Sequence, residues 1–268
     1  MRAIAWIAVN VFRESIRDKI LYNLVFFALL MIGASYLIGQ LTAGQDVKII
    51  KDLGLAATSV FGLFIAVFIG IGLVSKEVEK RSIYSLLAKP IARYQLVLGK
   101  YVGLVLTLAV NLAIMAAAVY AVLAYMAWRS GPTVAQAWEA PAADPALLKA
   151  FVLTFAELSI VTAIALLLST FSTPLLSAAL TFGLFVVGRF SGDLRHFNSV
   201  VQSRATAWVT ETLYWILPNL APFDVRLQVV HALPVPAGYI AMTLTYALVY
   251  VAALLVPAML IFSRRDFK

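Results

Sequence analysis

The sequence contains no cysteine, only two histidines and few charged residues. Of its 268 residues, 13% are charged and 63% are hydrophobic, far above the roughly 45–50% apolar content of an ordinary soluble domain. The lack of cysteine excludes disulfide bonds and thiolate metal sites. His196 and His231 lie far apart without the spacing of metal ligands, which favours isolated imidazoles over a metal site. The composition therefore predicts an integral membrane protein.

A nucleotide-binding P-loop is also missing. The motif G-x-x-x-x-G-K-[ST] supplies backbone N–H groups for the phosphates and a hydroxyl for Mg²⁺. Here Gly99 and Lys100 are accompanied by Tyr94 at the position of the first glycine and by Tyr101 in place of Ser or Thr. No predicted span contains a histidine that could serve an intramembrane enzyme. We expect no catalytic site, cofactor or metal in this chain.

Long uncharged windows indicate the membrane spans. Because about 20 apolar residues cross the hydrocarbon core, we predict an all-α protein with six transmembrane helices in one domain, 1–268. The uncharged window 158–188 is too long for one span and contains Ser172-Thr173-Pro174, where proline disfavours helix at the preceding residue; we divide it there. The predicted spans cover about residues 20–41, 53–75, 98–128, 148–171, 174–189 and 237–262, and residues 190–236 form an external segment with short helices.

Positive charge is concentrated on one side of this predicted topology. Lys and Arg accumulate in cytoplasmic loops. With six spans and a cytoplasmic N-terminus, the inner segments contain thirteen cations and five acids, which accounts for the whole formal charge of +8. Five spans would place the basic C-terminus outside, against this rule. We predict a multi-pass protein of the cell inner (cytoplasmic) membrane with both termini in the cytoplasm, and no binding of nucleic acid.

Residues 1–19 have the pattern of an amphipathic helix. Ile4, Ile7 and Val11 recur at helical spacing opposite a polar face. This pattern predicts a helix in the cytoplasmic interface of the bilayer, with Trp6 at headgroup depth. The apolar run that follows is too long for a signal peptide and has no evident cleavage site, so we expect the first span to be retained.

The connector between the second and third predicted spans, residues 76–97, is unusually charged. Glu77 can pair with Lys80 and Arg81 at i+3 and i+4, apolar residues share one helical face, and Pro90 ends the helix. A short amphipathic helix of this kind would offer a docking surface for a cytosolic partner. A plain solvated loop is the alternative, and the residues alone leave both open.

The motif E-x-x-x-R-S-I-Y-S-L-L-A-K-P-I-x-R that begins at Glu77, with L-G-K before a long span, resembles the permease subunits of ABC transporters of the ABC-2 type. Three further features fit this resemblance. They are the interfacial N-terminal helix, the segment Leu217-Pro218-Asn219-Leu220 with Phe223-Asp224 before the last span, and the C-terminal F-S-R-R-D-F.

The resemblance implies the membrane subunit of an ATP-driven exporter that pairs with a second copy or a close paralogue. ATP and Mg²⁺ would be bound by separate ABC ATP-binding subunits. The connector would be the coupling helix that docks on those subunits, and the Ser172-Thr173 turn a second, smaller contact. ATP-driven closure of the ATPase pair would then switch the permeases between inward-open and outward-open states. The implied coupling residues are Glu77, Glu79, Lys80, Arg81, Ser82, Lys89, Pro90, Ser172 and Thr173.

Glu157 is the one ionisable residue well inside a predicted span. Such a group is costly in the bilayer unless it faces a partner or water. Two interpretations follow: a place on the transport path, or a position near the outer interface where the carboxylate bonds to neighbouring spans.

Small residues form two stripes that permit close approach of helices. Either stripe could pack within one subunit or form a dimer seam. The two stripes consist of Gly62, Ala66 and Gly70 in the second span and of Ala109, Ala113, Ala117 and Ala121 in the third.

Two other functions are compatible with the sequence. A gradient-driven secondary transporter is expected to show internal repeats, broken helices and several midplane charges, whereas one break and one charge are found here. A structural membrane anchor of a larger complex is the second alternative, and the absence of any ATPase partner would favour it.

Overall fold

The chain folds into a bundle of α-helices. The computed structural model describes residues 2–41, 45–79, 92–135, 138, 141–142, 144–191 and 217–264. No strand occurs in these ranges, and the predicted all-α class is confirmed. The elements are α1 Arg2–Ile16, α2 Lys19–Gln40, α3 Asp46–Glu79, α4 Arg93–Ala135, α5 Ala146–Ser169, α6 Pro174–Arg189, a 3₁₀ turn Ala221–Phe223, α7 Arg226–Val230 and α8 Ala237–Arg264.

Five of the described helices, α2, α3, α4, α5 and α8, are long and apolar enough to cross a membrane. Helix α6 is apolar but has only 16 residues, which gives a length of about 24 Å at 1.5 Å per residue. The hydrocarbon core is about 30 Å thick, so α6 falls short of a full crossing. The break between α5 and α6 lies where proline was expected to produce it, since α6 begins at Pro174.

The helices alternate in direction, so the bundle has two distinct ends. We call the end where α3 stops and α4 begins the connector end, and the other the opposite end. Helix α1 packs at the connector end, against the start of α4, and two glycines permit this contact. A Cβ on Gly99 would lie 2.7 Å from Ile7 Cβ, and one on Gly103 would lie 2.6 Å from the Ala8 carbonyl oxygen.

Helix α5 is the most enclosed of the long helices. Of its apolar window, 72% is buried, against 17% for α8. Helices α3, α4, α6 and α8 all pack on it. Because its sequence is apolar on every side, it has no face that prefers water. A charged side chain on α5 therefore needs a counter-charge or hydrogen-bond partner from a neighbouring part of the protein.

The small-residue stripe of α3 packs against α5 within the same chain. A Cβ on Gly62 would lie 2.5 Å from Leu158 Cδ1, and one on Gly70 would lie 2.6 Å from Ala165 Cβ. The alanine stripe of α4 behaves differently, because Ala113 and Ala117 are exposed on the single chain. Only the first stripe thus belongs to the intramolecular core.

Residues 217–236 fill the space beyond the short α6. Leu220, Phe223 and Val229 are at most 1% exposed, so this part of the predicted external segment packs against the bundle. The Leu220 N–H donates to the Gly188 carbonyl at 2.9 Å. A Cβ on Gly188 would lie 2.8 Å from the Pro218 carbonyl oxygen, so this approach requires glycine. The segment places polar groups at the end of α6.

Candidate functional site: a buried charge network

Glu157 is completely buried in α5 and makes a bidentate ion pair. It lies about 17 Å along the helix from Ala146, at 1.5 Å per residue. Arg189 Nε donates to Glu157 Oε1 at 2.8 Å, and Arg189 Nη2 donates to Glu157 Oε2 at 2.9 Å. Both carboxylate oxygens are thus engaged by one guanidinium, the strongest common geometry for such a pair.

Arg189 is the centre of a larger network. Its Nη1 also donates to Asp224 Oδ2, and its Nη2 to Ser59 Oγ at 3.2 Å. The guanidinium carbon lies 5.5 Å from the centre of the Phe185 ring, within cation–π range. We call Glu157, Arg189, Asp224 and Ser59 the charge network. It joins α3, α5, α6 and the segment after α6 through one side chain.

The short length of α6 places Arg189 at the right depth. Arg189 is the last residue of α6, about 22 Å from its first, whereas Glu157 lies about 18 Å from the end of α5. The two helices form a hairpin through the turn after Ser169, so these depths nearly match. A cation at a helix C-terminus is also favoured by the helix dipole. The pair therefore forms where the two helices meet.

The segment that contains Asp224 is held by further hydrogen bonds. Tyr246 OH accepts from the Asn219 N–H at 2.9 Å, and Ser191 Oγ donates to Asn219 Oδ1 at 2.8 Å. Tyr239 OH donates to the Pro222 carbonyl at 2.6 Å. Ser191, just after α6, and two tyrosines of α8 thereby position the backbone that presents Asp224 to Arg189.

A small cavity lies beside the charge network. It has a volume of about 30 Å³ and is lined by Ser59, Thr154, Arg189, Asp224 and Arg226, among others. One or two water molecules would fill this volume. The space is too small for an organic cargo.

A fully buried lysine lies at the opposite end. Lys51 of α3 is 0% exposed, and its Nζ donates to the Pro141 carbonyl at 3.0 Å and lies 3.6 Å from Asp144 Oδ2. Tyr120 OH donates to the Asp144 carbonyl at 3.0 Å. These contacts hold the segment that precedes α5, with Pro141 and Asp144, against α3 and α4.

Lys51→Met should lower the stability of the protein by about 1–3 kcal/mol, because the buried acceptors lose their donor. Thermal unfolding of the purified protein in detergent measures the change. Asp52→Asn is the matched control, since Asp52 is the next residue of α3 and is 45% exposed in its ion pair with Arg226. Equal unfolding temperatures for the two variants would contradict a structural role for Lys51.

The predicted coupling residues are only partly within the described ranges. Helix α3 continues through Glu77 and Glu79. Ser172 and Thr173 form the turn between α5 and α6 at the connector end, where the Thr173 carbonyl accepts from the Ser177 N–H at 2.8 Å. Their role in coupling stays a prediction. Lys80, Arg81, Ser82, Lys89 and Pro90 lie outside the described residues.

Sequence reasoning singled out Glu157 but missed its partners. The sequence places Arg189 at the edge of a predicted span, and Asp224 enters only as part of the family resemblance. An acid inside a span indicates that some cation must lie nearby. No spacing rule connects Glu157 with Arg189, which is 32 residues away, so only the packing of α5 on α6 could identify it.

Comparison with known families agrees with this architecture. A family model described as "ABC-2 family transporter protein" matches residues 5–267. That range includes every described helix from α2 to α8 and nearly all of α1. A search of curated proteins finds no match. Because the family model covers almost the whole chain, this multi-pass membrane protein belongs to the ABC-2 family of transporter proteins.

Proposed function

We propose that this chain is the permease subunit of an ATP-driven exporter, paired with a second copy or a close paralogue and driven by separate ABC ATP-binding subunits. The observation that carries the proposal is the family match over residues 5–267. It is supported by the lack of a P-loop motif in the sequence, because an ATP-driven transporter then needs its motor on another chain.

The shape of α3 and α4 supports coupling at the connector. These helices have 34 and 43 residues, hence about 50 and 65 Å at 1.5 Å per residue. Both exceed the hydrocarbon core of about 30 Å, so they extend beyond the membrane. The positively charged connector joins them. The positive-inside rule puts this end in the cytoplasm, where an ATPase could push on it.

Gentle purification of the tagged protein from its native membrane tests the proposal. We expect a subunit that hydrolyses ATP to copurify in stoichiometric amount. If no ATPase binds and an ion gradient alone drives flux, the chain is a secondary transporter. If neither is found, a structural anchor is the better description. Vectorial transport inward in sealed vesicles of known orientation would contradict export.

Charge reversal in the connector tests the coupling residues separately. Glu77→Lys and Arg81→Glu should each weaken binding of the ATPase, because reversing a charge in a docking surface places like charges against each other. Lys48→Glu at the opposite end is the matched control and should leave the ATPase bound. Assembly of both connector variants at the level of the control would refute this docking site.

We propose that Glu157 acts in the transport cycle through the charge network. Helices α5 and α6 are joined at the Ser172-Thr173 turn, so force applied there would act on the ion pair between them. Glu157→Gln keeps the shape and an acceptor for Arg189 but removes the charge. We expect impaired transport by an assembled complex, measured as ATP-dependent flux in vesicles. Unchanged flux would exclude this role.

A further inference from the structure

Helix α1 turns its apolar side toward α4. Ala8 and Val11 are each 5% exposed, and Val11 belongs to a buried cluster with Leu104 of α4. The sequence pattern of this helix predicts that the same side meets the bilayer. Because α4 covers that side, a different side of α1 faces outward, and its residues decide what the helix can contact.

The outward side of α1 carries one indole ring and two arginines. Trp6 is 71% exposed and Val9 39% exposed, and Arg13 and Arg17 are exposed as well. These four residues are three or four positions apart, so they follow one line along α1 and the residue after it. We call them the α1 stripe. It contains two cations and no acid.

The two guanidinium groups of the α1 stripe have no counter-ion in the part of the chain that the structure describes. No ion pair there involves Arg13 or Arg17, although Glu14 and Asp18 are close in sequence. Glu14 and Asp18 line a cleft against α3, and the two arginines do not. The outward surface of this corner therefore carries unpaired positive charge.

The turn after α1 lies beside the uncharged part of α3. The cleft that Asp18 lines has Phe68 on its α3 wall. Residues 53–75 of α3 are uncharged and about 35 Å long, which matches a hydrocarbon core of about 30 Å. Phe68 lies about 12 Å before Lys76, the next charge along α3. Lipid is therefore the neighbour of this corner, and a cytosolic protein would have to enter the bilayer to reach Arg17.

We propose that the α1 stripe binds the headgroups of anionic phospholipids in the leaflet at the connector end. Arg13 and Arg17 pair with the phosphates while their methylene stems lie along apolar surface. Trp6 adds an indole ring, which is favoured at the membrane–water interface. Two cations without an acid attract a lipid of net negative charge more than a zwitterionic one. This inference does not depend on the ATP-driven transport proposed above.

A single cysteine beside the α1 stripe makes the contact measurable, because the chain has no other cysteine. Asn10 is exposed and outside the stripe, so Asn10→Cys can carry a fluorophore that bromine quenches at short range. The labelled protein is placed in phosphatidylcholine nanodiscs that contain a chain-brominated lipid. We expect brominated phosphatidylglycerol to reach half-maximal quenching at a fraction at least about fivefold lower than brominated phosphatidylcholine, the enrichment expected for one cation at an anionic surface.

The double variant Arg13→Gln with Arg17→Gln, made in the labelled protein, should abolish this preference, because glutamine stays polar but carries no charge. Its unfolding temperature in detergent should equal that of the parent, since both arginines are exposed. Arg129→Gln is the matched control: Arg129 is an exposed cation of α4 at the opposite end, so the preference should remain.

Three outcomes would overturn the inference. The first is equal quenching by the two brominated lipids, and the second is a preference that the double variant keeps. The third is a fluorophore that neither lipid quenches and that becomes shielded only when an ATP-binding subunit is added, because the α1 stripe would then be a contact with protein.

Discussion

Replacement of Arg189 by methionine is expected to destabilise the protein by about 3–5 kcal/mol, because it leaves the Glu157 carboxylate buried without a counter-charge. Glu157 is 0% exposed, and Arg189 donates to both of its oxygens. Thermal unfolding in detergent, followed by size-exclusion chromatography, measures the loss.

The double variant Glu157→Leu with Arg189→Met separates burial of a lone charge from loss of packing. It should unfold at a higher temperature than Arg189→Met alone, since no uncompensated charge remains inside. Arg226→Met is the exposed control. Its ion pair with Asp52 has both side chains 45% exposed, so we expect a cost below about 1 kcal/mol. Similar losses of stability for Arg189→Met and Arg226→Met would contradict the prediction that the buried Glu157–Arg189 pair stabilises the protein more than an exposed pair does.

Gly70→Leu is expected to cost about 3 kcal/mol or more, at the upper end for overpacking. Its Cβ would lie 2.6 Å from Ala165 Cβ and 3.4 Å from the Thr162 carbonyl oxygen. Neither atom can move aside without a shift of the α5 backbone. The expected result is a lower unfolding temperature and a poor yield of monodisperse protein.

Gly72→Leu is the matched control for this prediction. Gly72 lies two residues further along α3, and no atom of the described residues stands within 4 Å of its added Cβ. We expect its unfolding temperature to stay within a few degrees of the parent protein. If both variants unfold alike, the close α3–α5 packing is not the determinant of stability.

Several features of the fold follow from local sequence. An apolar window of about 20 residues favours a membrane-spanning helix, and each of the described helices α2, α3, α4, α5 and α8 covers one of the predicted windows. Pro174 cannot continue the preceding helix, which explains the break before α6. The stripe of Gly62 and Gly70 likewise predicts close packing. Each of these signals lies within a single segment of the chain.

Features that depend on contacts between distant segments could not be predicted from local sequence. Packing alone selected α5 as the partner of the Gly62 stripe and left Ala113 exposed. Local sequence also does not predict the burial of Lys51 beside Asp144, because a lysine near the start of a span is ordinarily solvated.

The sequence by itself determined the all-α membrane class, the approximate positions of the long apolar helices and the concentration of positive charge on the connector side, because hydrophobicity and the positive-inside bias act segment by segment. Only the tertiary structure decided which residue neutralises Glu157. Arg189 does so because the short α6 ends at the same depth, and Asp224 joins because residues 217–224 pack over that end. Charge pairing in the bilayer depends on three-dimensional proximity, and no linear spacing encodes it.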